Sequence, residues 1–131
     1  MRNSETLVAI FGHWPSFHDA EVVALRLDRA AGELGAPGLE VDVHLFEMTS
    51  DVDARGFYVL RHHTLATLRF DGIDELDLDG FNGQNVISEL EIEATADQNR
   101  LAVVLDTSSG LAASFTCSSG SVVRAEPFDP S

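Results

Sequence analysis

The 131-residue chain contains no lysine, and its one cysteine is Cys117. A lone cysteine closes no intramolecular disulfide and excludes a four-cysteine zinc site. No apolar run approaches the ~18–20 residues that a membrane-spanning helix requires. The opening stretch MRNSETLVAIFG lacks the continuous apolar core and small-residue cleavage site of a secretory signal. These absences point to a cytoplasmic protein with no membrane partner. Positive charge is scarce as well: eight arginines face 22 acids, for a formal net charge of −14. Such a surface repels phosphate backbones, so no nucleic-acid partner is expected. It favours fast, steered association with basic proteins, and it also keeps a chain soluble.

Catalytic signatures are equally sparse. The serines fall in turn-like clusters with no GxSxG elbow, and GFNGQN has neither the lysine nor the following helix of a phosphate loop. Cys117 alternates with Leu111, Ala113 and Phe115, which reads as a core thiol. The five histidines are His13, His18, His44, His62 and His63, with no HExxH spacing among them. His62 and His63 are neighbours on a strand and face opposite sides. His13 and His18 could meet across a turn, with His44 or Glu47 nearby. A metal-assisted enzyme or small-ligand binder using His13, His18 and Asp19 is therefore the alternative reading. Against it, adjacent residues on an extended chain point apart, so His18 and Asp19 do not readily share a metal or a proton. Both are expected to bond backbone groups around the Pro15 turn and close a helix-to-strand corner. The expectation is a non-enzyme with no metal and no cofactor.

What the chain does contain is alternation. Ser4 opens a short helix with Leu7, Ile10 and Phe11 on one stripe and Gly12 at its end. Trp14 precedes Pro15 and is extended. AEVVALRLDR then alternates, GELGAPG is a turn cluster, and LEVDVHLFE places Leu39, Val41, Val43 and Leu45 inward against Glu40, Asp42, His44 and Phe46 outward. MTSDVDARG reads as a loop. FYVLRHHTLATLRFDG reads as a long strand whose more apolar set is Tyr58, Leu60, Ala66, Leu68 and Phe70. ELDLDG, NVISELEIEA, RLAVVLD, LAASFTC and SVVRAE complete the series. The spacing predicts one α+β domain over residues 1–131: a short N-terminal helix packed on a twisted, mainly antiparallel sheet of about eight strands. Residues 126–131 read as a frayed tail.

The acids are patterned too. Between Arg69 and Arg100 there is no base but nine acids, among them Asp74, Glu75, Asp77, Asp79, Glu89, Glu91 and Glu93. Alternation puts Glu75, Asp77 and Asp79 on one strand face and Glu89, Glu91 and Glu93 on one face of the next. Leu76, Leu78, Leu90 and Ile92 then hold the opposite face in the core. If the two strands pair as a hairpin, like charges lie side by side, which a sheet does not favour. A cationic partner would explain the arrangement better than a calcium site, since no DxDxDG-type loop is present. Glu40 and Asp42 are possible extensions of the same face, and Phe46 or Phe81 could anchor it.

The stretches FGHWPSFHDAEV, FEMTSDVDARGFYVLRHHTLATLRFDGI and LDGFNGQNVI resemble the immunity protein 50 family of bacterial polymorphic toxin systems, over about residues 8 to 120. The most specific elements are Trp14-Pro15-Ser16-Phe17-His18-Asp19 and the turn containing Phe81 and Asn82. The resemblance implies a small cytoplasmic antitoxin that binds and blocks a co-encoded toxin, usually without a reaction of its own, and the expectation is a monomer or homodimer. A basic toxin domain as partner fits the charge pattern.

Overall fold

The computed structural model describes residues 1–30, 35–97 and 99–129. One helix, α1 (Glu5–Phe11), precedes eight strands: β1 (Glu21–Asp28), β2 (Gly38–Val52), β3 (Tyr58–Asp71), β4 (Asp74–Asp79), β5 (Val86–Ala94), β6 (Leu101–Ser109), β7 (Ala112–Cys117) and β8 (Ser119–Pro127). The strands form one antiparallel sheet in the order β4-β7-β6-β5-β1-β2-β3-β8. The expected α+β class, with its short helix and eight-stranded antiparallel sheet, is what the chain forms.

α1 begins at Ser4, whose side chain makes no capping bond, and ends at Gly12, which takes φ 82° so that its N–H can reach the Val8 carbonyl. Leu7 is fully buried, and Phe11 packs against the core. In β1 a bulge between Val22 and Ala24 resets the alternation. Val22 is therefore buried opposite Val43, and Val23 is left exposed. Leu39, Val41, Val43 and Leu45 of β2 and Ala66, Leu68 and Phe70 of β3 are all buried, as alternation requires.

The sheet folds onto itself at two places. β5 and β1 share one registered pair, Glu21↔Val86, so this seam is a narrow hinge between two four-stranded halves. At the other place β3 runs directly into β4, and β7 into β8. Asp71 pairs with Ser119 on one half and Asp74 with Thr116 on the other, so a single two-stranded ribbon turns the corner. Gly72 takes φ 67° there, and a Cβ at that position would run into the Ser118 side chain. The Ser118 N–H and hydroxyl both donate to the Asp71 carbonyl, at 2.8 and 2.9 Å. The halves meet face to face, with Phe70 and Phe115 edge-on at 5.2 Å between ring centroids. Cys117 is buried in this core, and burial pushes its thiol pKa up.

Two expectations are corrected. Residues 48–52 do not form a loop: β2 continues through them and pairs with β3, through Met48↔Leu60 and Val52↔Tyr58. β4 and β5 are not a hairpin, because β4 pairs with β7 and β5 with β6. The connection between them is held by buried Asn85. Its Oδ1 accepts from the Asn82 and Leu111 N–H groups at 3.0 and 3.1 Å, and its Nδ2 donates to the Asn82 carbonyl at 2.7 Å. β8 extends to Pro127, and the Phe128 N–H donates to the His63 carbonyl at 3.0 Å. The end of the expected tail, residues 130–131, and residues 31–34, which include the start of the GELGAPG turn, lie outside the described residues.

The outer face of the β1-β2-β3-β8 half carries an ion network. Arg26 donates to both Asp42 carboxylate oxygens at 2.7 Å and to Glu40 at 3.2 Å. Thr67 Oγ1 donates to Asp42 at 2.6 Å, and Arg69 lies 3.6 Å from Glu40. Asp42 is only 7% exposed. The bond from Arg26 holds its carboxyl below the usual range, outweighing the opposite push of burial, and raises the arginine in turn.

Two outcomes follow. Because the Asp42 carboxyl titrates lower in the folded chain than its unfolded value of ~3.9, its stabilisation is complete above that value. It is lost as pH falls through the folded one. Asp42→Asn should cost about 2 kcal/mol at neutral pH, and urea midpoints of variant and wild type should converge toward pH 2. Asn85→Ala strands the buried Leu111 N–H and releases the Asn82 turn, and it should cost about 2 kcal/mol, read as a lower urea midpoint with an unchanged slope.

Candidate functional site

The acids of β4 and β5 do share a face, but at a distance. Ala113, Phe115, Val103 and Leu105 point into the core, so their neighbours along β6 and β7 point outward. The registers then define rows across the β4-β7-β6-β5 half. One runs Asp77, Ser114, Val104, Glu91, and the next Asp74, Thr116, Ala102, Glu93. Acids stand at both rims, and in these two rows Ser114, Val104, Thr116 and Ala102 form the floor between them, while Asp106 of β6 adds an acid at the end of the floor nearest Glu89. With strands ~4.8 Å apart, the rims are ~14 Å from each other. Asp77, Asp79, Val104, Asp106, Ala112 and Ser114 line the open trough on the β4 side.

Like-charge crowding is therefore confined to one rim. Asp106 faces Glu89 across β5 and β6, and Glu91 follows two residues along. The Glu89 charge and a side-chain bond to Glu89 raise the Glu91 pKa, with Asp106 adding to the effect. Asp106 belongs to this rim and was not among the expected residues. The alternation of Val104 and Asp106 in RLAVVLD carried the signal, but only the β5–β6 register places it beside Glu89.

β4 departs from simple alternation. A register shift lies between Asp74 and Asp77, with Glu75 at φ 55°. Asp74 thereby takes the rim position that alternation assigned to Glu75. Leu76 is exposed rather than in the core, while Leu78, Leu90 and Ile92 pack against it. Glu40 and Asp42 do not extend this face. They lie on the outer side of the other half, where Arg26 and Arg69 neutralise them. In the trough half the one arginine after Arg69 and before Arg124 is Arg100. It is spent on the corner, donating to the Gly72 carbonyl at 2.8 Å and Thr116 Oγ1 at 3.1 Å.

His18 and Asp19 close a corner, though the partner strand is β5. His18 Nδ1 lies 3.0 Å from the Ser88 carbonyl and so carries the proton, while the Asp19 N–H donates to the Ile87 carbonyl at 2.9 Å. Asp19 adopts φ 67°, which swings its carboxylate to 3.6 Å from His18 Nε2 rather than to the opposite side. His13 and His18 line a shallow depression with Phe11, Ser16 and Glu47. His44 is turned away from it, its Nε2 2.9 Å from His63 Nδ1 beside Phe46 and Phe128. Burial lowers the His44 pKa, and the neighbouring His63 lowers it further. His62 faces Glu47 and the Phe11 ring on the other side of the strand. Among the described residues no three His, Cys, Asp or Glu side chains gather as a metal site. Phe46 sits half-buried in the histidine cluster, and Phe81 is exposed beyond the end of β4.

No helix among the described residues is long and apolar enough to cross a membrane. No curated protein and no solved structure matches the chain. A family model does: the one described as immunity protein 50 matches residues 3–128, nearly the whole sequence, and the chain belongs to that family.

Proposed function

We propose that this immunity protein neutralises a co-encoded bacterial toxin by direct contact, and that the acid-rimmed trough of the β4-β7-β6-β5 half receives a basic element of the toxin domain. The observation that carries the reading is the segregation of charge. Asp74, Asp77 and Asp79 on one rim and Glu89, Glu91, Glu93 and Asp106 on the other side face solvent, and the one arginine of this half, Arg100, meets the trough only at its corner end, through Thr116 Oγ1. An α-helix is ~10–12 Å across with its side chains, so a helix laid on the small-residue floor would bring basic side chains to both rims. Glu75 adds to the field from the bulge. Glu40 and Asp42 stay outside this surface. The protein acts by occlusion, without a cofactor and without a reaction of its own.

Across a rim-to-rim separation larger than the ~8 Å screening length, the acids repel one another weakly. Opposed by arginine and lysine, the same acids accelerate encounter and fix orientation. Combining Asp77→Arg with Glu91→Arg should slow association with the toxin domain by roughly tenfold or more at low salt. It should also flatten the salt dependence of the rate while preserving the fold, as stopped-flow rates and circular dichroism would show. Unchanged rates across the salt series would remove the trough from the interface.

A further inference from the structure

We propose that the outer face of the β2–β3 hairpin extension is a docking surface for a second copy of this chain. The inference is independent of the toxin reading, because it concerns the opposite side of the molecule. Beyond His44 on β2 and His63 on β3, the hairpin projects past its neighbours. β1 begins opposite His44, and β8 and Phe128 reach only to Thr64 and His63. Among the described residues the ribbon is thus two-stranded out to its turn, and such a ribbon is marginally stable in water unless one face is covered.

Its two faces differ sharply. Met48↔Leu60 and Val52↔Tyr58 are cross-strand pairs, and Leu60 and Tyr58, two residues apart, share a side. Together the four make one apolar face, exposed at 54% (Met48), 36% (Leu60), 56% (Val52) and 59% (Tyr58). Phe46, two residues before Met48 on β2, joins this face to the Phe46–His63 and His44–Phe128 ring contacts. The other face holds Arg61, which pairs with Glu47 in register and donates to Asp51 at 2.7 Å. Phe11 of α1 meets His62 on that side, so the helix leaves the apolar side open.

Area and charge select the occupant. An aromatic side chain carries ~150–250 Å² and an aliphatic one somewhat less, so covering these four side chains at these exposures removes on the order of 400 Å² per copy. A pair then buries ~800 Å², the size of a weak, concentration-dependent contact. Residues 47–62 hold three acids and two arginines, in a chain of net charge −14. Each of those acids has a cationic or histidine partner: Asp51 with Arg61, Asp53 with Arg55, Glu47 with His62. This is the face on which two strongly acidic copies can approach without opposing unpaired acids. A basic partner finds no complementary charge there. Two-fold symmetry presents the same patch from both sides, so every substitution acts twice.

The sign of the salt effect sets this contact apart from the trough. Screening weakens attraction between the trough and a basic partner, whereas it relieves repulsion between two copies, so self-association should tighten as salt rises. The test is sedimentation equilibrium of the whole protein at micromolar concentrations across a salt series. It is run beside Tyr58→Glu, Leu60→Glu and, as a control on an exposed aromatic elsewhere, Phe81→Glu. The expected result is a dimer that strengthens with salt, weakened at least roughly thirtyfold by either hairpin substitution and unaffected by Phe81→Glu. Circular dichroism of the hairpin variants should match the wild type. A wild-type monomer at high micromolar concentration overturns the proposal, whether or not Tyr58→Glu slows toxin binding. A dimer that survives both hairpin substitutions overturns it as well.

Discussion

At residues 71–74 and 117–119 two strands turn together, and the arrangement of everything else depends on that shared corner. Because β3 continues as β4 while its partner β8 continues as β7, neither half of the sheet can swing away without unpairing the ribbon. Phe70 is thereby brought against Phe115, and the apolar faces of both halves are used up on one another. The Gly72 conformation, the two bonds from Ser118 to the Asp71 carbonyl and the Arg100 bond to the Gly72 carbonyl all serve the same bend.

The bend leaves two outer faces looking in opposite directions, and the arginines are divided unequally between them. Arg26, Arg69 and Arg124 lie on the β1-β2-β3-β8 side, and Arg55 and Arg61 on its hairpin. Only Arg100 belongs to the other half, and the corner consumes it. The acidity of the chain is therefore not spread evenly. It is compensated on one side and left open on the other, and a partner that senses charge meets an oriented molecule.

Much of this was legible in the sequence. The stripe of Leu7 and Phe11 marked the helix, and the period-two runs marked all eight strands. The inward set of β2 followed from alternation alone, because a strand with one buried face has no other register. Pairing order was not legible. ELDLDG and NVISELEIEA are adjacent in the chain and separated by turn residues, which is also how a hairpin looks, and only the bent ribbon commits β4 to β7. The hairpin extension was hidden by composition: Met48-Thr49-Ser50-Asp51 lacks a buried face, so neither period nor hydrophobicity revealed that it pairs. Asp42 read as a surface acid because its one distinguishing feature, a bidentate arginine from the neighbouring strand, is non-local.

The pairing of β3 with β8 also sets a clock. Asp71 must wait for Ser119, and Thr64 for Pro127, so β3 keeps a bare edge while the intervening residues are made. At ~5–20 residues per second, translating residues 72–127 takes roughly 3–11 s, far longer than a hairpin needs to form. During that interval β2 and β3 can associate, but the sheet cannot close. Such an edge invites pairing with other chains. Arg69 places charge along it, a local safeguard for a strand whose permanent neighbour arrives last.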